Sequence, residues 1–430
     1  MPELHPFRGW RYDLAHVGTL AAVTAPPYDV IDRTVQDQLY SRSPYNIVRV
    51  ELTRPEPGED AEAKYARAAR WLQQWLKEGV LQQDPHPCLY VYHQVFEHEE
   101  RRLTRRGFLA RVRLYPFEAG IVFPHEATLS GPKEDRLKLM RATGMNISPV
   151  FGLYADESGQ AQDTLDRIVR AWPPLEVRDD QGVIHRLWAV SQPDAIRAVQ
   201  RALHAQPVIL ADGHHRYETS LAYLAEQIAA RGGVPEDDPC RFVLMDLVRL
   251  QDPGLVILPT HRLIRGIPSL SLHRLRAVLA VHFEIEEIRG EHAAEEAWEW
   301  LCSGDQSLLA WGTAEGPWLV TRFRSPTLME HLAPQHSHAW RSLAVSILHV
   351  FVLPQLLGAA LGGVPECDYV HRLQDVTDGL RQGACNMAVL VPPLSVHLLQ
   401  TIAGAGERLP PKTTYFYPKL LTGLVLNSVR

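Results

Sequence analysis

The chain contains segments in which apolar residues have helical spacing and segments in which they alternate as in a strand. In residues 60–79 the apolar residues recur every three to four positions, with Trp71 and Trp75 on the same face. This spacing predicts an amphipathic helix that ends at Gly79. Residues 46–52 instead alternate with a period of two, and that pattern predicts a strand.

The same periodicities predict the other elements of the chain. In order these are a hairpin of 88–97 and 107–114, a helix at 133–142, a strand before 154, a strand at 208–210, a helix at 212–230, strands at 242–250 and 255–258, a helix at 272–280, a strand at 282–288, a helix at 291–302, two strands within 308–325 and a helix at 392–404. Strands that alternate with helices in this way predict a mixed α/β (α+β) fold.

The length of 430 residues predicts two or three domains, at about 150 residues per domain. We expect a first domain over 1–265 and an additional smaller α/β unit over 266–340. Residues 341–430 are expected to form a C-terminal segment of helices and loops that packs back on the core.

Two segments raise questions that periodicity does not answer. The hairpin turn, EHEERRLTRRG at 97–107, is rich in arginine, which favours a solvated tip over a functional basic patch. Residues 343–364 carry no charge and are long enough to span a bilayer. Because Ser346, His349 and Pro354 interrupt this stretch, we predict a buried helix with a break and no membrane association.

The composition narrows the classes of function. With 46% hydrophobic residues the chain is globular, and 44 basic against 50 acidic residues give a net charge of −6. A nucleic-acid binder is usually strongly basic, so we expect no nucleic-acid partner, while a small-molecule anion is compatible with a local basic pocket. The 32 Pro and 28 Gly residues predict many rigid turns. The oligomeric state is not indicated.

The five cysteines are scattered and none forms a CxxC pair. This pattern favours reduced thiols in a cytoplasmic protein over a disulfide framework or a zinc site. Residues 1–13 lack a basic region followed by an apolar core, so no signal peptide is expected.

The strongest candidate for chemistry is the segment Asp212-Gly213-His214-His215-Arg216, which follows an apolar strand and opens a helix. Glycine permits a tight turn, the helix N-terminus favours an anion, and arginine can bind phosphate oxygens with two hydrogen bonds. Asp212 can cap the helix, order a histidine or hold a metal. The alternative is an ordinary capped surface turn. The two histidines lack the spacing of a zinc site, and metal ligands are left unassigned.

The second candidate is the loop Pro124–Thr128, in which His125 and Glu126 are adjacent, followed by Lys133 and Arg136 on a helix. A histidine and a carboxylate can perform general acid–base catalysis if burial adjusts the pKa of the carboxyl group. A charged loop and a solvated helical face are an equally good explanation.

Two further segments carry basic residues. His261 and Arg262 follow a predicted strand end, where α/β proteins collect ligand groups, although such a pair is more often structural. Lys412, Thr413 and Lys419 lie in a proline-rich segment that could close over a phosphate or carboxylate.

These segments together resemble the domain-of-unknown-function 1015 family over nearly the whole chain. The resemblance is carried by PYDVI (27–31), NIVRVEL (46–52), PHEATLSGPKEDRLKLMRATGMNISPVFGLY (124–154), ADGHHRYETSLAY (211–223), LPTHR (258–262) and PPKTTYFYPKLLTGLVL (410–426). The chain is identified as a member of this family, which carries no settled biochemical function. The resemblance also suggests an association with serine biosynthesis.

The turn also looks like the phosphate motif of the ParB/sulfiredoxin superfamily, which has G-x-H-R or G-x-R-R at a helix N-terminus. That superfamily includes ATP-using sulfiredoxins, CTP-binding ParB proteins and free serine kinases. The resemblance implies a ParB/sulfiredoxin-like nucleotide-binding core within 1–265, with His215 and Arg216 on the phosphates. The spacing Asp212-Gly213-His214-x-Arg216 is similar to the kinase version.

Two departures limit what the resemblance implies. His214 stands where the reactive cysteine of sulfiredoxins falls, so thiol chemistry is not implied. The catalytic glutamate of the kinases has no motif that aligns here, and Glu126 and Glu51 are candidates on chemistry alone.

The leading hypothesis is a kinase-like phosphotransferase that acts on a small amino-acid-type metabolite, serine or phosphoserine. ATP or ADP with Mg²⁺ is expected at the 212–217 turn, with Glu126 deprotonating the acceptor hydroxyl and Asp212 or His214 orienting metal or substrate. Lys412 and Lys419 are expected to close over the site. The alternatives are a non-catalytic nucleotide-binding regulator and a metal-dependent phosphate-ester hydrolase.

Overall fold

The computed structural model describes residues 1–127, 130–267, 271–314, 316–359 and 362–430, with the backbone but not the side chains of 130–132. The fold is mixed α+β, as predicted. The chain forms two compact units. The first comprises Met1–Pro124, Thr128–Leu255 and Pro418–Arg430, and the second comprises His125–Ala127 and Val256–Tyr417.

The strands of the described residues are numbered in chain order. They are β1 (Leu4–His5), β2 (Trp10–Tyr12), β3 (Leu81–Gln83), β4 (Leu89–His98), β5 (Arg101–Arg113), β6 (Val122–Pro124), β7 (Met145–Asn146), β8 (Val150–Tyr154), β9 (Leu175–Arg178), β10 (Ile184–Val190), β11 (Val208–Asp212), β12 (Phe242–Arg249), β13 (Val256–Pro259), β14 (His261–Arg265), β15 (Phe283–Ile288), β16 (Leu308–Gly312), β17 (Trp318–Phe323), β18 (Glu366–Val370), β19 (Met387–Leu390), β20 (Thr414–Tyr417) and β21 (Asn427–Ser428).

The α-helices are numbered in the same way. They are α1 (Leu14–Val17), α2 (Leu20–Val23), α3 (Arg33–Arg42), α4 (Val48–Glu51), α5 (Ala63–Lys77), α6 (Ser130–Thr143), α7 (Gln160–Val169), α8 (Pro193–Leu203), α9 (His214–Arg231), α10 (Leu272–Leu279), α11 (Ala293–Leu301), α12 (Pro326–Leu332), α13 (His338–Arg341), α14 (Ala344–Ile347), α15 (Leu373–Arg381) and α16 (Val396–Gly404). Single 3₁₀ turns lie at Tyr28–Val30, Phe117–Ala119 and Pro239–Arg241, and a π-helical segment at Leu348–Ala359.

A nine-stranded sheet organises the first unit. Its order is β6-β11-β8-β12-β5-β4-β10-β9, with β1 paired to β5. The pairs β6–β11 and β8–β12 are parallel and the others antiparallel. Alternate residues of each strand face opposite sides of a sheet. Phe108, Met245 and Val150 therefore face the side on which α7 and α8 complete an apolar core.

The predicted hairpin is confirmed, but its turn is shorter than expected. Glu99 and Glu100, both at positive φ, form the turn, and β5 begins at Arg101. The predicted solvated arginine tip is therefore wrong for Arg105, which lies inside β5 and is 1% exposed. Arg105 faces the same side as Leu109, because the two residues are four apart on one strand.

An antiparallel sheet organises the second unit. Its order is β15-β17-β16-β19-β14-β18, and α11 and α15 pack on one face around Trp318 and Leu390. The elements predicted over 271–325 are confirmed as α10, β15, α11, β16 and β17. A separate pair, β13–β20, joins Val256–Pro259 to Thr414–Tyr417.

Two other predictions for local structure have different outcomes. The amphipathic helix is confirmed as α5. The strand predicted at 46–52 is wrong, because Val48–Glu51 form α4. Its alternation does not mark one buried face, since the whole of this short helix except Arg49 is buried. The Asn46 side chain also accepts the Val48 N–H at 3.0 Å, a local bond that favours a turn.

The uncharged stretch at 343–364 forms α14 and then the π-helical segment, which contains Pro354. Among the helices of the described residues, we find none that combines the length and the apolar character needed to cross a bilayer. None of the five cysteines forms a disulfide bond.

Gly107 provides a test of the packing on the face opposite the apolar core. A Cβ atom there would lie 2.7 Å from Val248 Cγ2 and 2.9 Å from Asp246 Oδ1. We expect Gly107→Ala to lower the free energy of unfolding by about 1–3 kcal/mol, the usual effect of overpacking. Urea denaturation measures this change. As a control, Gly404→Ala adds a methyl group to open space in α16 and should not destabilise the protein. Equal unfolding midpoints for wild type and Gly107→Ala would contradict this packing.

Candidate active site

The segment predicted to bind phosphate is a tight strand-to-helix turn in the first unit. Strand β11 ends at Asp212, Gly213 adopts φ +82°, and α9 begins at His214. A Cβ atom on Gly213 would lie 2.9 Å from Arg216 Nε, so glycine is required by both conformation and space. The N-cap residue of the 18-residue helix α9 is Gly213, which has no side chain with which to cap it. The first turn of a helix carries backbone N–H groups and the positive end of the helix dipole.

Asp212 does not cap the helix, which was one of its three predicted roles. Its Oδ1 accepts the Gly213 N–H at 2.7 Å, and its Oδ2 accepts from Lys419 Nζ at 2.9 Å. Arg216 Nη2 lies 3.8 Å from the same carboxylate. Burial raises the pKa of Asp212, but the two cations outweigh burial and hold that pKa well below its usual range. Two cations around one carboxylate leave the turn with a net positive charge.

Arg216 connects the turn to a cavity in the first unit. Its Nη1 donates to the carbonyl of Pro149. The cavity is small, with a volume of about 40 Å³, and is partly open to solvent. Its lining combines charged and polar groups with apolar side chains: Glu51, Arg136, Leu139, Met140, Met145, Asn146, Ile147, Ser148, Arg216, Thr219, Ser220 and Val243. His214 is buried and His215 half-buried in the first turn of α9.

Glu51 is the carboxylate of this cavity. It is 3% exposed, accepts from Ser148 Oγ at 2.9 Å and lies 3.6 Å from Arg136 Nη1. Burial raises the pKa of Glu51 although Arg136 opposes this effect. The strand predicted over 46–52 gave no indication of a cavity. In the structure these residues form α4 instead, and Glu51 at the end of α4 lines the cavity.

The two basic residues predicted on one face of α6 have different environments. Lys133 forms an ion pair with Glu218 at 2.6 Å. Arg136 is buried, donates to the Glu51 carbonyl at 2.6 Å and pairs with Asp135. The prediction of a solvated face is therefore wrong for Arg136, which lines the cavity.

In the second unit, Glu126 is held by a backbone loop. Its carboxylate accepts from the N–H groups of Lys412 at 2.6 Å, Thr413 at 3.2 Å and Thr414 at 3.4 Å. His125 Nε2 lies 2.7 Å from Thr414 Oγ1. The predicted role of Glu126 as a catalytic base stays a prediction. Thr128 of the predicted loop lies outside the described residues.

Lys412 and Thr413 make their contacts in this unit mainly through the backbone. Lys412 has φ +58°, and its carbonyl accepts from Arg262 Nη2 at 3.0 Å. Thr413 Oγ1 donates to the Pro410 carbonyl at 2.6 Å. A lid role for the Lys412 ammonium stays a prediction.

His261 and Arg262 follow the end of β13 at Pro259, as predicted, and they are also the first two residues of β14. His261 Nδ1 accepts the Val391 N–H at 3.2 Å, and burial lowers the pKa of His261 to about 3. Arg262 donates to the Thr260 carbonyl and lies 2.9 Å from His349 Nε2. Burial lowers the pKa of Arg262 to about 10. Both side chains are 1% exposed or less, so a role in ligand binding stays a prediction.

Sequence reasoning missed three polar side chains close to the turn segment. Arg105 and Gln94 contact the backbone beside Lys419, and Asp246 is a buried acid within the apolar strand β12. The available signal was the single aspartate in the segment FVLMDLVR. An ionisable residue surrounded by apolar residues of a strand needs a compensating partner.

The described residues contain no group of three His, Cys, Asp or Glu side chains placed to hold a metal ion. The oxygens of Asp212 already accept from Gly213 and Lys419. Mg²⁺ at this turn stays a prediction.

Fold and site define a mixed α+β protein with a positively charged strand–turn–helix segment. The chain belongs to the family described as "Protein of unknown function (DUF1015)", whose model matches residues 4–345. A comparison with curated proteins gives no match.

Several solved structures are similar to the chain at low identity. A conserved hypothetical protein from Pyrococcus furiosus is 12% identical with a TM-score of 0.36, over 73% of this chain and 92% of that protein. A free serine kinase in complex with AMP is 11% identical with a TM-score of 0.37, over 72% and 86%. SbnI with a C-terminal truncation, from Staphylococcus aureus, is 13% identical with a TM-score of 0.35, over 73% and 85%. At these values the similarities do not identify a reaction or a ligand for this chain.

The Asp212–Lys419 pair predicts a pH-dependent contribution to stability. Lys419→Met removes the ammonium and should lower the free energy of unfolding by about 3 kcal/mol at pH 7. Because the folded-state pKa of Asp212 lies below its usual value of 3.8, the pair stabilises the fold above that pH and loses this effect as pH falls toward the folded-state pKa. The difference between the proteins in urea denaturation should therefore shrink between pH 7 and pH 3.

Lys138→Met is the matched control, because Lys138 pairs with Glu62 and Glu134 at the surface. It should change stability little at either pH. A loss for Lys419→Met that is equal at pH 7 and pH 3 would contradict the proposed charge balance.

Proposed function

We propose that this protein is a phosphotransferase that moves a phosphoryl group between a nucleotide and the hydroxyl group of a small amino-acid-type metabolite, with serine or phosphoserine as the expected partner. The observation that carries the proposal is the net positive charge of the turn. Lys419 and Arg216 lie around the single carboxylate of Asp212, at the N-terminus of α9. Cations and oriented N–H groups are the groups that bind phosphate.

The turn supplies what phosphoryl transfer requires most, which is positioning and neutralisation of charge. Arg216 can bind phosphate oxygens with two parallel hydrogen bonds, and Lys419 acts as a point charge. Asp212 holds Lys419 in place through the 2.9 Å contact, so the ammonium is oriented before a ligand arrives. His215 and the first N–H groups of α9 complete the proposed phosphate site.

The acceptor hydroxyl needs a base, and we assign this role to Glu126. The Glu126 side chain is 16% exposed and can meet a substrate, whereas Glu51 is 3% exposed and beside Arg136. His125 contacts Thr414 and orders the same loop.

The sequence resemblance of Asp212-Gly213-His214-x-Arg216 to the free serine kinase motif supports the proposal and its expected nucleotide, ATP or ADP. No step of the proposal depends on a metal held by the protein. A nucleotide can carry Mg²⁺ on its own phosphates.

Removal of Arg216 tests the phosphate site. We expect Arg216→Ala to weaken ADP and ATP binding at least tenfold in isothermal titration calorimetry, because a hydrogen bond to a charged group contributes about 1.5–3 kcal/mol and 1.4 kcal/mol corresponds to tenfold. Arg113→Ala removes a surface arginine that pairs with Glu3 and Glu236, and it should bind as the wild type does. Equal nucleotide affinities for Arg216→Ala and wild type would contradict the phosphate site.

Removal of the proposed base tests turnover. With ATP or ADP and serine, mass spectrometry should detect phosphoserine with the wild type, and Glu126→Gln should lower kcat at least a hundredfold at unchanged nucleotide affinity. Glu51→Gln should affect stability more than kcat. If nucleotide binds but no amino acid accepts phosphate, the protein is a nucleotide-binding regulator instead. A hundredfold loss with Glu51→Gln and none with Glu126→Gln would transfer the role of base to Glu51.

A further inference from the structure

Polar residues of several strands lie on the face of the first unit's sheet opposite its apolar core. Gln94 lies opposite Arg105 in the β4–β5 pair. Asp246 of β12 lies opposite Phe151 of β8, and Phe151 lies opposite Asp212 of β11. Cross-strand partners share a face of a sheet, and Asp246 lies opposite Leu109, four residues from Arg105 on β5. Gln94, Arg105, Asp246 and Asp212 therefore share this face.

The C-terminal segment of the first unit, residues 418–430, contacts polar side chains on this face. Arg105 Nη2 donates to the Pro418 carbonyl at 2.5 Å and also bonds the Gln94 side-chain oxygen. Gln94 Nε2 donates to the Lys419 carbonyl at 2.9 Å. The Leu421 N–H donates to Tyr92 Oη at 3.2 Å. The carbonyls on both sides of the Lys419 Cα atom are therefore held by Arg105 and its partner Gln94.

The positive charge of the buried Arg105 side chain is compensated by neighbouring groups. Burial lowers the pKa of Arg105, and Asp246 opposes that effect. Burial raises the pKa of Asp246 to about 7, and Arg105 opposes that effect. The guanidinium also lies over the Phe151 ring at 4.7 Å. Gly107 leaves room for the Asp246 carboxylate, because a Cβ atom there would lie 2.9 Å from it. Burying a charged group costs desolvation free energy, and good hydrogen bonds and ion pairs are needed to offset this cost.

We propose that Arg105 is a positioning residue for Lys419: by holding the backbone on both sides of Lys419 it directs the ammonium to Asp212 and to the phosphate of a bound nucleotide. The part concerning the nucleotide rests on the proposed function, whereas the part concerning Asp212 does not. A free lysine side chain loses about 2 kcal/mol of rotational entropy when it is ordered, and a fixed backbone limits the conformations from which it must be ordered.

A double-mutant cycle on ADP binding tests the proposal. Arg105→Lys keeps the positive charge but loses the planar group that bonds Pro418 and Gln94 together. We expect Arg105→Lys to weaken ADP binding about tenfold in calorimetry, and Lys419→Met to weaken it at least as much. If Arg105 acts through Lys419, the double variant should bind ADP as Lys419→Met does. Losses that simply add would overturn the proposal.

Arg106→Lys is the matched control, because Arg106 is the next residue of β5, faces the other side of the sheet and pairs with Asp166 and Asp252. We expect it to lower stability without weakening ADP binding. A tenfold weaker affinity for Arg106→Lys would show that damage to β5 in general explains the effect, and it would overturn the proposal.

A second measurement does not depend on nucleotide. The rate at which Lys419 reacts with an amine-directed acylating reagent, measured by mass spectrometry relative to Lys133, should rise at least threefold in Arg105→Lys and stay unchanged in Arg106→Lys. If the wild type does not bind ADP, the proposed function fails, and this rate alone decides the positioning role. An unchanged rate in Arg105→Lys would overturn the role.

A second variant covers the case in which Arg105→Lys does not fold. Gln94→Met keeps the volume of the side chain and removes only the bond to the Lys419 carbonyl and the acceptor for Arg105. It should change the acylation rate of Lys419 in the same direction by a smaller factor. A folded Gln94→Met protein with the acylation rate of the wild type would overturn the proposal.

Discussion

The ion pair between Asp212 and Lys419 joins residues that lie 207 positions apart, and the arrangement of the candidate site depends on it. One partner ends a buried strand and the other belongs to the last segment of the chain. Without the pair, Asp212 would be a part-buried carboxylate facing Arg216 at 3.8 Å, and Lys419 would have no fixed direction. The positive charge of the turn, the order of the C-terminal segment and the use of a buried arginine in β5 all follow from this contact.

Periodicity predicted much of the fold because many elements expose one face or alternate regularly. The helix α5, the hairpin β4–β5 and the elements of 271–325 are of this kind. The strand predicted over 46–52 was wrong because the helix α4 is buried on almost every side. The alternation of apolar and polar residues there does not mark one buried face, so it did not indicate the secondary structure. Strand order was beyond reach, since the neighbours of β5 come from positions as distant as β1 and β12.

The candidate site was predictable where its groups are close in sequence. Gly213 between a strand and a helix has a local reason, its positive φ, and the motif could be recognised from the sequence. The contacts of Lys419 with Asp212 and of Glu126 with the 412–414 backbone depend on the tertiary fold. The predicted loop chemistry named these residues but not their partners. Arg105 was hidden because it lies in a run of arginines that reads as a solvated turn.

The return of Pro418–Arg430 to the first unit has a consequence for biosynthesis. The buried residues Leu426 and Val429 follow the second unit in the chain and are therefore translated after it. Leu426 bridges to Trp10 near the start of the chain, and the Val429 N–H donates to the Gly144 carbonyl. Domains otherwise tend to fold from the N-terminus as they leave the ribosome. Here the first unit stays incomplete until the second unit has been translated, so Asp212 must wait for its counter-charge from Lys419. During that interval the nine-stranded sheet lacks the part of its cover that residues 418–430 supply.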